Sequence, residues 1–143
     1  MSLRFPRRLR VLRFRFVLAY WNDLQIELIK QHNNDVVSGH TEIGGNFGGG
    51  LHHVLVESND VGALHQSWLE SGATKLMTGR VSGAGRFIYL DVGDAEPHVE
   101  LVQLEARFQQ LFDFMRRQAA NRDGWDPIRQ VPEGGEWRIA RAD

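Results

Sequence analysis

Hydrophobic and polar residues alternate along two short stretches near the start of the chain. Residues 11–20 and 24–31 (LQIELIKQ) show the period of two that is typical of a β-strand with one exposed face. The intervening residues 21–23 (WND) are a turn signal, so the pattern predicts a β-hairpin. Residues 32–50, HNNDVVSGHTEIGGNFGGG, are polar and rich in glycine, and they predict a linker loop.

A regular series of elements is predicted after this loop. Residues 51–58 (LHHVLVES) have the pattern of a strand, and Asp60 is a suitable N-cap for a helix that ends at Gly72. Three further strands follow at 74–80, 85–92 and 98–104. The predicted order from residue 51 to residue 104 is therefore β-α-β-β-β, which indicates an α+β fold.

The pattern divides the chain into four parts. Residues 1–31 hold the hairpin, 32–50 the linker, 51–104 the βαβββ unit, and 105–143 an amphipathic helix with an irregular tail. The strand ends IELIKQ and VELVQL are nearly identical, which suggests an internal repeat whose first copy is shortened.

Composition narrows the classes of function. A length of 143 residues fits one domain or two half-domains around a shared core, and a net charge of −1 argues against a nucleic-acid partner. The absence of cysteine excludes disulfides, thiolate metal sites and cysteine nucleophiles. No apolar run has the roughly 20 residues of a membrane span, and no signal peptide is recognisable, so we expect a cytoplasmic protein without a membrane partner.

The first fifteen residues are an exception to this balance, because they contain six arginines and no acid. One interpretation is a basic arm for nucleic acid. The other is a start that does not belong to the packed domain, and we favour it because the rest of the chain has no basic excess.

Three side chains have the chemistry of a metal site. Glu27 and Glu100 each lie in a predicted strand between apolar neighbours, where a buried carboxylate is costly without a compensating cation or hydrogen bonds. His53 occupies a third predicted strand, and imidazole with carboxylates is a common ligand set for divalent metals. The alternative, that both acids point to solvent from one-sided sheets, stays open on the pattern alone.

The stretch GLHHVLVESNDVGALHQSWLESGA, followed by two strands and VELVQ, resembles the second module of vicinal oxygen chelate proteins. This superfamily includes glyoxalase I, methylmalonyl-CoA epimerase, extradiol dioxygenases and bleomycin-resistance proteins. The resemblance covers residues 24–104, with LQIELIKQ similar to the closing strand of the first module. It implies βαβββ half-barrel modules that face each other around a divalent metal.

The resemblance also implies the site residues. His53, seven positions before Asp60, matches the first-strand ligand of the second module, and Glu100 matches its last-strand ligand. Glu27 matches the last-strand ligand of the first module. The implied metal is Zn, Ni, Co, Mn or Mg, and Glu100 is our candidate for a ligand that also serves as the catalytic base.

The sequence departs from this family where the first module should begin. Only 26 residues precede Glu27, so the first module is incomplete and its first-strand ligand has no counterpart. We expect a truncated or misplaced start, or a shortened form of the protein. A sheet edge left by the short module would pair with a second chain, which predicts a homodimer, with or without exchanged modules.

Two classes of function follow from the resemblance. One is a metal-dependent lyase, isomerase or epimerase that acts on a small carbonyl compound or thioester through a metal-stabilised enolate. The other is a non-catalytic module of the bleomycin-resistance type, which binds its small-molecule ligand in the same cleft without metal. An extradiol dioxygenase is disfavoured because its iron site needs a second histidine ligand.

Other polar and aromatic residues receive subsidiary assignments. Strand alternation puts His52 on the face opposite His53, where we expect a structural role. His65 is expected at the surface of the helix, and His98 is a candidate for the face of Glu100. The remaining candidates, as loop groups or as walls of a cleft, are His32, His40, Trp21, Arg86, Phe87 and Tyr89.

Overall fold

Two separate β-sheets and two helices make up the described part of the chain. The structure is a computed structural model, and it describes residues 14–32, 50–81, 83–93, 97–125 and 128. Its elements are β1 (Phe14–Trp21), β2 (Leu24–Gln31), β3 (His53–Glu57), α1 (Val61–Glu70), β4 (Thr74–Val81), β5 (Gly85–Asp91), β6 (His98–Leu104) and α2 (Ala106–Ala120). The predicted α+β class and the β-α-β-β-β order are confirmed. The arginine-rich start, nearly all of the predicted linker and most of the predicted tail lie outside the described residues.

The βαβββ unit forms a mixed four-stranded sheet in the order β3-β6-β5-β4. Strand β3 runs parallel to β6, which requires a crossover, and α1 lies in that connection. The other two strand pairs are antiparallel. This arrangement places the first and last strands of the unit side by side at one edge of the sheet.

Helix α1 begins where the sequence predicts it. The Oδ1 atom of Asp60 accepts a hydrogen bond from the Ala63 amide at 3.0 Å, which satisfies one of the free amides of the first turn. Gly72 follows the helix with a φ of 96°, a left-handed conformation that glycine adopts at little cost. The helix packs on one face of the sheet.

The hydrophobic core lies between α1 and that face of the sheet. Val61 of α1 and four sheet residues form a buried cluster, with Val56, Leu64 and Trp68 packed against it. The four sheet residues are Ile88, Leu90, Val99 and Leu101. Because strand side chains alternate, Tyr89 and Glu100 lie on the opposite face of the sheet, away from α1.

The hairpin β1–β2 is built differently. Its register pairs Leu18 with Glu27 and Tyr20 with Gln25, so these four side chains share one face. The Tyr20 hydroxyl donates a hydrogen bond to the Phe112 carbonyl of α2 at 3.2 Å, which docks this face against the second helix. The opposite face is apolar and exposed, with the largest exposed fractions at Trp21, Leu28 and Leu24. No helix of the described residues is long and apolar enough to cross a membrane.

Candidate functional site

The parallel pairing of β3 with β6 brings two of the three predicted ligands together. The register aligns His53 with His98 and Leu55 with Glu100, so His53 and Glu100 are diagonal neighbours on the face opposite α1. The Nε2 atom of His53 lies 3.0 Å from Oε2 of Glu100. The exposed fractions of these side chains are 8% and 12%, so the pair is largely shielded from solvent.

Glu27 reaches the same imidazole nitrogen from the hairpin. Its Oε2 atom lies 3.7 Å from Nε2 of His53, and its side chain keeps 28% of its surface exposed. The structure therefore brings Glu27, His53 and Glu100 into one cluster, although they come from two sheets. The open alternative, in which both carboxylates point away from the rest of the protein into solvent, is not what the structure shows.

Tyr89 of β5 lies beneath this cluster. It is directly opposite Glu100 in the strand register, it is almost fully buried, and its hydroxyl is hydrogen-bonded to the Glu100 carboxylate. Burial raises the pKa of Tyr89, and the negative charge of Glu100 and the shared hydrogen bond raise it further. The hydroxyl therefore keeps its proton and acts as the donor.

The two carboxylates repel each other through the site. Burial is the main cause that raises the pKa of Glu27 above its ordinary value of 4.5, and the charge of Glu100 raises it further, while His53 lowers it. Among the described residues, neither Glu27 nor Glu100 forms an ion pair with a Lys or Arg side chain, in contrast to Glu105, which pairs with Arg80, and Asp113, which pairs with Arg116. The two carboxylates therefore give the cluster an excess of negative charge, and a proton or a cation between them would stabilise it.

His52 is part of the site. The prediction that its side chain lies on the face opposite His53 is wrong. The Nδ1 atoms of His52 and His53 lie 2.9 Å apart, and both rings meet the Tyr89 ring edge to face. Strand β3 begins at His53, so His52 lies before the strand and the alternation of strand side chains does not apply to it. The sequence signal for this contact was the adjacency of the two histidines itself.

Two predicted wall residues lie away from the cluster. Trp21 is 71% exposed and pairs with Leu24, which places it on the outer face of the hairpin rather than the face of Glu27. Arg86 is exposed and alternates with Phe87 along β5, so it is on the face opposite Tyr89. Tyr89 and Phe87 do lie on the site face, and their rings are 5.9 Å apart.

The remaining histidines are less central. His65 is not a surface residue as predicted: it is half-buried on α1, and its Nε2 atom is shielded without a hydrogen-bond partner among the described residues. His98 is half-buried beside His53 in the register, and His32 is exposed after β2. His40 lies outside the described residues.

The donor set suits a divalent cation in its chemistry, and two of its distances are near those between ligands that share an ion. Two ligand bonds of about 2.1 Å at angles of 90 to 120° put the donor atoms roughly 3.0 to 3.6 Å apart, which is close to the 3.0 and 3.7 Å observed around His53. As placed, however, no group of three or more His, Asp or Glu side chains in the described residues is arranged to hold an ion. Binding would therefore require these side chains to rearrange around the ion.

Apart from a metal, the cluster can hold and move a proton. Hydrogen-bond contacts run from Tyr89 to Glu100, from Glu100 to His53 and from His53 to His52. Such a chain orients one carboxylate precisely while it leaves Glu27 nearer to solvent.

No protein-family model matches the sequence, and no curated protein matches it significantly.

Proposed function

We propose that this chain is a divalent-metal-dependent lyase, isomerase or epimerase of the glyoxalase type, acting on a small carbonyl compound or thioester. The observation that carries the proposal is the convergence of Glu27 and Glu100 on Nε2 of His53, at 3.7 and 3.0 Å. These residues come from separate sheets, and both carboxylates lie beside a single imidazole without a Lys or Arg partner among the described residues.

The proposed metal ligands are Glu27, His53 and Glu100. A divalent cation held there would polarise a substrate carbonyl and stabilise the negative charge that develops on its oxygen. Glu100 would take the proton from the carbon next to that carbonyl, because Tyr89 and His53 fix its orientation. Glu27 is the rival base, since its raised pKa favours proton uptake.

A titration with Zn²⁺ or Co²⁺ tests the binding part of this proposal. We expect one ion per chain for the wild type and a loss of binding in His53→Ala and Glu100→Gln. Glu70→Gln is the matched control, because Glu70 is exposed on α1, where its carboxylate accepts a hydrogen bond from the Gln66 side chain. A wild-type protein that binds no divalent ion would overturn the metal site.

Proton–deuterium exchange tests the catalytic part. We expect the metal-loaded protein to exchange the hydrogen next to the carbonyl of 2-oxoaldehyde hemithioacetals or 2-methylacyl thioesters, followed by NMR. Because both glutamates are proposed ligands, the shorter carboxylates of Glu100→Asp and Glu27→Asp are compared at a Zn²⁺ concentration at which both variants are shown to hold the ion. Loss of exchange in Glu100→Asp with retained exchange in Glu27→Asp assigns the base to Glu100. The reverse result assigns it to Glu27, and a protein that binds metal but exchanges neither class of compound contradicts the enzyme.

A second candidate is a metal-free module that binds a small ligand, as in bleomycin-resistance proteins. The observation that favours it is that no group of three His, Asp or Glu side chains in the described part of the chain is arranged to hold an ion. The aromatic side chains of Phe87 and Tyr89 on the same face would then contact the ligand. This function predicts no metal in the titration and a Tyr89 fluorescence change with planar apolar compounds.

We further propose that the chain forms a homodimer, with or without exchanged modules. The proposal is supported by the outer face of the hairpin, where Trp21, Leu24 and Leu28 are exposed by 61 to 71%. Light scattering at several concentrations tests it, and a monomer throughout would contradict it.

A further inference from the structure

The direct contact between the two histidines has a consequence for the proposed metal site. Their Nδ1 atoms are 2.9 Å apart, which is hydrogen-bond distance. A neutral imidazole carries one proton, so a hydrogen bond between these atoms requires one Nδ1 to be protonated and the other to be bare. The tautomer of one ring therefore dictates the tautomer of the other.

The contact with Glu100 selects between the two tautomers of a neutral His53. Nε2 of His53 faces Oε2 of Glu100 at 3.0 Å, and a carboxylate accepts hydrogen bonds. When both rings are neutral, this contact puts the His53 proton on Nε2, so that Nδ1 of His53 accepts a hydrogen bond and His52 donates from Nδ1. The Tyr89 ring packs against both imidazoles, with ring centres 5.2 and 5.9 Å away, and this packing restricts their rotation.

A cation at Nε2 of His53 would need the opposite arrangement. Coordination uses the Nε2 lone pair, so a neutral His53 must carry its proton on Nδ1 and donate it outward. The atom that faces this donor is Nδ1 of His52, which must then be bare, with the His52 proton on Nε2. Each ring holds one proton before and after, so no proton is gained or lost by the pair.

We propose that His52 is a positioning residue of the metal site, which exchanges tautomers with His53 so that His53 can bind a cation through Nε2. This inference rests on the proposed function, since it explains how the imidazole of His53 is oriented as a metal ligand. Most groups that orient a metal-bound histidine only accept a hydrogen bond from it. An imidazole such as that of His52 can either donate or accept this hydrogen bond, depending on its tautomer. His52 therefore stabilises His53 in the Glu100-bonded state and in the cation-bound state.

Replacement of His52 tests the positioning role. We expect His52→Phe, which keeps a ring against Tyr89 but has no acceptor, to weaken Zn²⁺ binding about 10- to 100-fold, as loss of a ligand-orienting partner typically does. His52→Asn, whose side-chain amide can present an acceptor near the position of Nδ1, should restore most of the affinity. His65→Phe is the matched control, a half-buried histidine of α1 outside the cluster, and it should leave affinity unchanged. Equal affinities in the Phe and Asn variants would overturn the proposal.

Nitrogen-15 NMR of the histidine side chains tests the tautomers directly, at a fixed pH. Without metal we expect protons on Nδ1 of His52 and Nε2 of His53, and with Zn²⁺ the reverse pair. Any other assignment in the metal-free protein overturns the inference, including protons on Nε2 of both rings. If the wild type binds no Zn²⁺, the proposed function fails, and the metal-free spectrum still decides whether the two tautomers are coupled as described.

Discussion

The βαβββ unit and the hairpin differ in how much apolar surface they bury. Of the eight buried hydrophobic residues in the described ranges, seven lie in α1 or in strands β5 and β6, and the eighth, Leu111, lies in α2. The described hairpin residues contribute none, and several of their large apolar side chains are exposed. An isolated two-stranded hairpin is at best marginally stable in water, so the hairpin depends on its contacts with the rest of the protein.

The candidate site joins these two regions. His53, Glu100 and Tyr89 belong to the βαβββ unit, while Glu27 belongs to the hairpin. The first three are therefore held in place by a packed sheet, and the position of Glu27 is only as secure as the docking of the hairpin. We expect this difference to appear in stability, in cation binding and in pH dependence.

The largest effect should come from the core of the unit. Leu101 is fully buried against α1, so Leu101→Ala should lower the free energy of unfolding by about 2 to 5 kcal/mol, as measured by chemical denaturation. Leu28→Ala removes the same atoms from a hairpin side chain that is 64% exposed. In the monomer, at high dilution, we expect that change to stay within about 0.5 kcal/mol.

A large loss of stability in Leu28→Ala would break the comparison. It would mean that the outer face of the hairpin is covered in solution, as the proposed homodimer requires. Repeating the denaturation at several protein concentrations separates these cases, because only a dimer has a stability that depends on concentration.

The next effect concerns cation binding across the two regions. Zn²⁺ at a hundred times its dissociation constant should raise the free energy of unfolding by roughly 2.7 kcal/mol. Because Glu27 is a proposed ligand, the same ion should slow hydrogen exchange of the β2 amides. Glu27→Gln should lose this protection of β2, while Lys30→Gln, on the other face of the same strand, should keep it. Protection of β2 in Glu27→Gln equal to that of the wild type would contradict the role of Glu27.

The sequence predicted the unit better than the contacts around it. Strand β6 was predicted with its observed bounds, 98–104, because its apolar run ends clearly and the following segment has a helical period. The Asp60 cap was predicted from residue type and position, and its hydrogen bond confirms it. These features depend on local interactions, which a single sequence records.

The sequence did not predict the contacts between elements, or the contacts of residues that lie beyond the end of a strand. The position of His52 depends on where β3 begins, and a shift of two residues from the predicted start changes which alternation rule applies to it. Glu27 and Glu100 were singled out by their apolar neighbours, yet their distances to His53 depend on how the hairpin docks. Tyr20, which provides a docking hydrogen bond, carries no signal that distinguishes it from another strand aromatic.

Removal of that docking contact should have a moderate effect. Tyr20→Phe deletes the bond to the Phe112 carbonyl and the acceptor for Gln25, which should cost about 1 kcal/mol and speed hydrogen exchange in β1 and β2. Burial is the main cause that raises the pKa of Tyr20 above its ordinary value of 10.0. The wild type should therefore keep this docking below pH 10 and lose it as the pH rises through the raised pKa, whereas Tyr20→Phe should show no such loss. Identical exchange rates in the two proteins would mean that the hairpin is held elsewhere.

The smallest effect should come from the charge of Glu27 in the absence of metal. Its pKa is raised in the folded protein, chiefly by burial, so the folded state binds a proton more tightly than the unfolded state does. Stability from this group is then fully present below its ordinary pKa of 4.5 and is lost as the pH rises through the raised value. Because 28% of the side chain is exposed, solvent screening limits the effect. In the presence of a chelator, melting temperatures should fall over this pH range more in the wild type than in Glu27→Gln. Equal slopes would show that Glu27 stays in solvent, and the site would then consist of the sheet unit alone.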